Sequence, residues 1–156
     1  MTTFNKSLTV LNDLFGKDYT FVLATVKDGA PAQRVVDTFY CEQAFWVVTY
    51  ALSNKVKELM VNHNISLCNT FHVFKGKAYN MVHPLKEENK KIREKLVQAF
   101  EPWYFAHNNE QDENMCYVKI VLEEGFFHKD GTGYKVNFKE KQAEEFPFAP
   151  QIEMII

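Results

Sequence analysis

Between residues 34 and 55 four side chains carry compatible chemistry: Arg34, Thr49, Ser53 and Lys55. Arg34 lies in the extended run Pro31-Ala32-Gln33-Arg34-Val35-Val36, and Thr49 ends the run Phe45-Trp46-Val47-Val48-Thr49. Ser53-Asn54-Lys55 opens the stretch that follows. If the strands pair through turns at Asp28-Gly29 and Cys41–Gln43, Arg34 and Thr49 fall in adjacent strands beside the helix that Ser53 begins. A guanidinium, two hydroxyls, an ammonium and a helix start with free N–H groups together make a site for a phosphate dianion. Singly, each has a plainer explanation. An Arg on an edge strand is often solvated, Ser53 is a sufficient N-cap, and Lys55 beside Lys57 and Glu58 reads as a solvated helix face. Their coincidence at this spacing points to the anion site.

Other chemistry is not signalled. The sequence holds no GxSxG elbow, phosphate-cradling GxxxxGK[ST] loop, HExxH pair or EF-hand loop. His63, His72, His83, His107 and His128 are scattered, with no two in a metal-ligand spacing. Cys68 and His72 lie four apart on an expected strand, about 13 Å apart in backbone rise, which disfavours a zinc site. Cys41, Cys68 and Cys116 form no CxxC and read as buried thiols of a reducing, cytoplasmic compartment. No residue is nominated as a catalytic acid, base or nucleophile.

The elements that must position these side chains follow from periodicity. Phe4, Leu8, Leu11 and Phe15 form a helical stripe, with Thr2 or Thr3 as N-cap and Gly16 as a left-handed terminator. Strands are expected at 19–26, 32–40, 44–50, 65–72, 77–82, 115–122 and 133–138. Turns are expected at Asp28-Gly29, Cys41–Gln43, Gly76, Glu123-Glu124-Gly125 and Asp130-Gly131. Ser53 begins a short helix with Val56, Leu59 and Met60 on one face. A longer helix spans 85–100, with Leu85, Ile92, Leu96, Ala99 and Phe100 inward, until Pro102 stops it. Six or seven strands in tight turns with three helices describe a mainly β (α+β) chain: a small antiparallel barrel with helical additions.

The run from Phe21 to Asn69 resembles the pyridoxamine 5′-phosphate oxidase-like, FMN-binding split-barrel family. The resemblance rests on Ala24-Thr25-Val26, Asp28-Gly29-Ala30-Pro31, Arg34-Val35-Val36, Phe45–Thr49, Ser53–Leu59 and Asn62-His63-Asn64-Ile65-Ser66-Leu67. It implies a six-stranded antiparallel split β-barrel with peripheral helices, and a homodimer with FMN bound between subunits. In that resemblance Arg34 lies at the flavin mononucleotide, and Val35 and Val36 form the strand whose backbone meets the isoalloxazine ring. Val48 and Thr49 form the strand end near the cofactor, and Lys55 holds the phosphate beside Ser53. Asn54 stands where the true oxidases carry Arg, and Lys77 near where they carry a glutamine. No C-terminal Arg-x-His segment of the kind that holds the vitamin substrate is present, so FMN binding transfers better than pyridoxamine phosphate oxidation. Trp46, Trp103 and Tyr104 are candidate aromatic walls, the latter two from the partner subunit.

Composition sets the outer bounds. Fourteen Phe, seven Tyr and two Trp among 156 residues supply enough apolar surface for one domain, taken as residues 1–156, and exclude a disordered chain. A net charge of -2 argues against general nucleic-acid binding, and no apolar run approaches the ~20 residues of a membrane span. The tail, with Phe146-Pro147-Phe148 and Met154-Ile155-Ile156, is apolar enough to dock rather than hang free. The expected function is therefore a cytoplasmic FMN-dependent oxidoreductase using a small-molecule substrate or nicotinamide donor. The alternative is a non-catalytic flavin- or haem-binding carrier or stress sensor, and a deazaflavin is not excluded.

Overall fold

A computed structural model describes residues 1–150. Helix α1 (Thr3–Phe15) leads into β1 (Tyr19–Lys27), β2 (Ala30–Cys41) and β3 (Ala44–Tyr50), followed by α2 (Asn54–Val61). The chain continues through β4 (Asn64–Asn69), β5 (His72–Asn80), α3 (Lys90–Ala99), α4 (Tyr104–His107), β6 (Met115–Lys129), β7 (Thr132–Asn137) and β8 (Gln142–Pro147). The strands run in the order β3-β2-β1-β4-β5-β6-β7-β8, and β3 also pairs with β6. That extra pairing closes six antiparallel strands into a barrel and leaves β7 and β8 as an extension. Strands β2 and β3 pair only from Phe39↔Trp46 to Cys41↔Ala44, whereas β3 pairs with β6 over its whole length. Beyond Phe39 the two strands part, and this opening splits the barrel.

Alternation along the strands fills the interior with rings. Phe15 of α1 packs against Phe21, Phe45 and Phe74 at centroid separations of 5.4–5.6 Å, plugging one end of the barrel. A second apolar cluster, with Trp46, Leu96, Phe100, Tyr104 and Tyr117, forms where α3 and α4 cover the outer face of β3 and β6. Thr2 caps α1 through its hydroxyl, which accepts from Asn5 N–H at 3.1 Å. Asp28-Gly29 turns with φ of 51° and 78°, the two positive values a two-residue hairpin turn requires.

Several expectations are corrected. Gly16 is not left-handed, with φ -74°; a Cβ there would crowd the Asn12 carbonyl oxygen at 2.6 Å, so close approach explains the glycine. The turn expected at Gly76 lies instead at Thr70-Phe71, both with positive φ, and Gly76 sits inside β5 at a β-bulge. A Cβ there would collide with the Val121 carbonyl oxygen, so the glycine serves close strand approach rather than a turn. Glu123-Glu124-Gly125 is likewise mid-strand, because β6 runs unbroken for 15 residues and Phe74 covers Gly125. Strand β8 was not anticipated. The segment 85–100 begins as a 3₁₀ turn at Glu87–Asn89, and Leu85 and Met60 are exposed. Cys116 is buried, Cys41 half-buried and Cys68 exposed, against the expectation of three buried thiols. Phe146 and Phe148 pack on Phe126 at 5.9 and 5.0 Å; the docking expected of Met154, Ile155 and Ile156 lies outside the described residues. Among the described residues no helix is long and apolar enough to cross a membrane.

Candidate functional site

The register decides where Arg34 points. Arg34 lies opposite Leu23 across β1 and β2, and directly opposed residues share a face of the sheet. Leu23 is a core residue, so Arg34 is directed into the barrel, at the end where β1 and β3 finish and β2 and β6 begin. Val36 points the same way and is buried, while Val35 points outward and is 67% exposed. Thr49, opposite Cys116, is buried at this end; Val48 is half-buried against the outer cluster. Helix α2 lies across the mouth, in contact with β1 and β5, with Val56 and Leu59 fully buried beneath it. Arg34, Thr49 and the α2 start thus lie toward one end of the barrel, although β2 and β3 have parted there and Arg34 and Thr49 do not face each other across a ladder.

The residue that sequence reasoning misplaced is Glu58. Expected on a solvated helix face, it is 9% exposed and pairs with Arg34. Arg34 Nη2 donates to Glu58 Oε2 at 3.0 Å and Oε1 at 3.4 Å, while Nη1 donates to Thr25 Oγ1 at 2.6 Å. Thr25 Oγ1 in turn donates to Glu58 Oε2 at 3.2 Å. Three groups from β1, β2 and α2 thus close a triangle, and Arg34 keeps 24% of its side chain accessible. The signal was the helical period itself: Val56 and Leu59 face inward, and position 58 flanks that stripe. Carboxylates are seldom buried unless paired, which is why the bland reading was preferred.

Lys55 differs from the other cations here. It is half-buried, and among the described residues no acceptor or carboxylate meets its ammonium. Burial, and then the neighbouring Arg34 guanidinium, hold its pKa below the ordinary lysine value; the Cys116 thiol opposes this slightly. Burial also pushes the Cys116 thiol up to about 11, leaving it protonated and poorly nucleophilic at neutral pH. Ser53 stands at the N-cap but turns its hydroxyl away, donating to the Tyr50 carbonyl at 2.7 Å. No side chain therefore caps α2, and Asn54 beside it is exposed. A half-buried cation without an acceptor, a partly open guanidinium and an uncapped helix start are what a phosphate group would complete.

Other expected contributors are engaged elsewhere. Tyr104 is fully buried in its own chain and its hydroxyl lies 2.6 Å from that of Tyr117, so it cannot wall a partner's site. Trp103 stacks on Phe100 at 4.5 Å and donates its indole N–H to Asp18 at 2.8 Å. Trp46 is a core residue, with Lys119 5.5 Å above its ring. Lys77 donates to Asn64 at 2.8 Å. A cavity of about 830 Å³ lies away from the mouth, between the start of α1 and β5–β8.

No family model matches the sequence, and no curated protein matches it significantly. Solved structures do. General Stress Protein 26 from Bacillus anthracis str. Sterne superposes with a TM-score of 0.58 at 19% identity, over 81% of this chain and 93% of that one. A FAD-binding protein from Mesorhizobium loti gives 0.57 at 14% identity, over 75% and 90%. A pyridoxamine 5′-phosphate oxidase-related, FMN-binding protein from Nostoc punctiforme gives 0.57 at 10% identity, over 96% and 98%. The barrel expected from the resemblance is the fold this chain adopts.

Proposed function

We propose that this protein binds flavin mononucleotide by its phosphate at the barrel mouth and acts as an oxidoreductase, as a homodimer in the reducing cytoplasm. The observation that carries the reading is Lys55: a half-buried ammonium, beside Arg34 and an uncapped helix start, with no acceptor among the described residues. A phosphate there would meet the ammonium, the guanidinium and the free N–H groups of the helix start together. In this reading Lys55 and the first-turn N–H groups of α2 hold the phosphate, and Arg34 adds directed donors. The backbone of Val35–Val36 and Val48–Thr49 flanks the parted strands where a planar ring would lie.

The bound flavin would supply the redox chemistry, and the chain supplies position and electrostatics. Nothing at the mouth suggests a protein acid or base, since Cys116 stays protonated and Glu58 is held by Arg34 and Thr25. Exposed Val35, Leu52, Met60 and Val61 offer apolar surface for a second copy. Two solved neighbours are named for FMN and FAD, so the flavin form needs direct identification. Flavin released by heat from purified protein should be FMN, and NAD(P)H should bleach the holoprotein anaerobically. FMN that no nicotinamide reduces would favour a carrier, a Soret band would indicate haem, and FAD would displace the FMN assignment.

A further inference from the structure

The triangle of Arg34, Thr25 and Glu58 has a consequence for what the mouth selects. Glu58 contributes one negative charge against the single positive charge of Arg34, through contacts at 3.0 and 3.4 Å, and is itself 9% exposed. A carboxylate so buried does not leave its partners readily, because separation strands an unpaired charge. A ligand therefore meets a guanidinium that is fixed in direction and paired with a carboxylate. Lys55 beside it has no such partner among the described residues.

We propose that Glu58 is a specificity-determining residue, holding Arg34 in place while lowering the charge of the pocket, so that Lys55 alone meets the ligand's phosphate charge. This rests on the phosphate-binding reading above and deepens it. Arg34 would recognise shape, through the N–H groups not taken by Thr25, the Leu23 carbonyl and Glu58, and Lys55 would recognise charge. An acidic side chain beside a phosphate site looks like an error, and here it acts as a selectivity device.

The test compares FMN with riboflavin, which lacks the phosphate, by titration of the apoprotein at constant salt and pH. The ratio of the two affinities isolates the phosphate, and an unchanged riboflavin affinity certifies an intact pocket. Wild-type protein should prefer FMN by at least about tenfold, the value of one charged hydrogen bond. In Lys55→Gln the ratio should fall by about tenfold. In Glu58→Gln, which keeps an acceptor for Arg34, the ratio should rise by roughly tenfold as the guanidinium charge is released. The double variant should return near the wild-type ratio. If wild-type protein binds both flavins equally, the phosphate reading itself fails. If wild-type protein prefers FMN but Lys55→Gln keeps that preference, or Glu58→Gln lowers or leaves it, the role given to Glu58 is overturned. Should Glu58→Gln not fold, the ratio is read in Glu58→Met, where a rise supports the role given to Glu58 and an unchanged or lower ratio overturns it.

Discussion

Arg34 and Lys55 look equivalent in the sequence and are not equivalent in the barrel. Arg34 is a structural ion as well as a candidate ligand group, because Glu58 and Thr25 depend on it. Arg34→Ala would strand a carboxylate that is 9% exposed, and such losses cost about 3–5 kcal/mol. We expect a clear drop in the urea midpoint for Arg34→Ala, with Lys55→Ala near wild type or slightly more stable; equal midpoints for Arg34→Ala and wild type would refute the pairing. A second ion-free site makes a pH prediction. His72 is 5% exposed, its Nδ1 has no partner among the described residues, and its ring stacks on His128 at 4.4 Å. Burial, then the nearby His128, lower its pKa from 6.5 to about 4. The folded state therefore resists a proton that the unfolded chain accepts below 6.5. Stability is fully present above that pH and is lost as pH falls toward about 4, by up to about 3 kcal/mol. Replacing His72 with Phe should flatten unfolding free energy between pH 7 and 4.5, measured by denaturant titration; an unchanged slope would contradict this.

Elements with local signals were legible, and those set by distant contacts were not. Asp28-Gly29 dictates its own turn through two positive φ values, so β1 and β2, and with them the Arg34–Leu23 register, could be read directly. Ser53 marks the start of α2, but nothing local says that its hydroxyl abandons the cap for Tyr50. Gly76 and Gly125 carry the same letter as a turn glycine. Only the pairing of β5 with β6, remote in sequence, shows that they admit a carbonyl and a ring instead. Glu58 was misread for the same reason: its partner lies 24 residues away on a strand. Gly76→Ala tests this account of the bulge. The added methyl meets the Val121 backbone, and overpacking of this kind costs about 1–3 kcal/mol. A melting temperature equal to wild type would show that the strands yield freely.

At the scale of the whole molecule, closure of β3 on β6 makes a barrel, and the parting of β2 from β3 opens it again at the end where we propose the anion pocket. The outward residues near that opening include Val35 at 67% and Leu52 at 63% exposure, apolar surface that the proposed second copy would cover. Light scattering at micromolar concentration should give twice the chain mass, 18.3 kDa each; a monomer would refute the dimer. Neither the proposed dimer nor the proposed seat of the ring is legible in the sequence beyond the resemblance, since no local pattern encodes either. The central claim is simpler and needs neither. Calorimetric titration of the apoprotein with FMN should give one site per chain at micromolar affinity or better, with riboflavin binding at least about tenfold more weakly. No heat of binding, or equal affinity for the two, would contradict it.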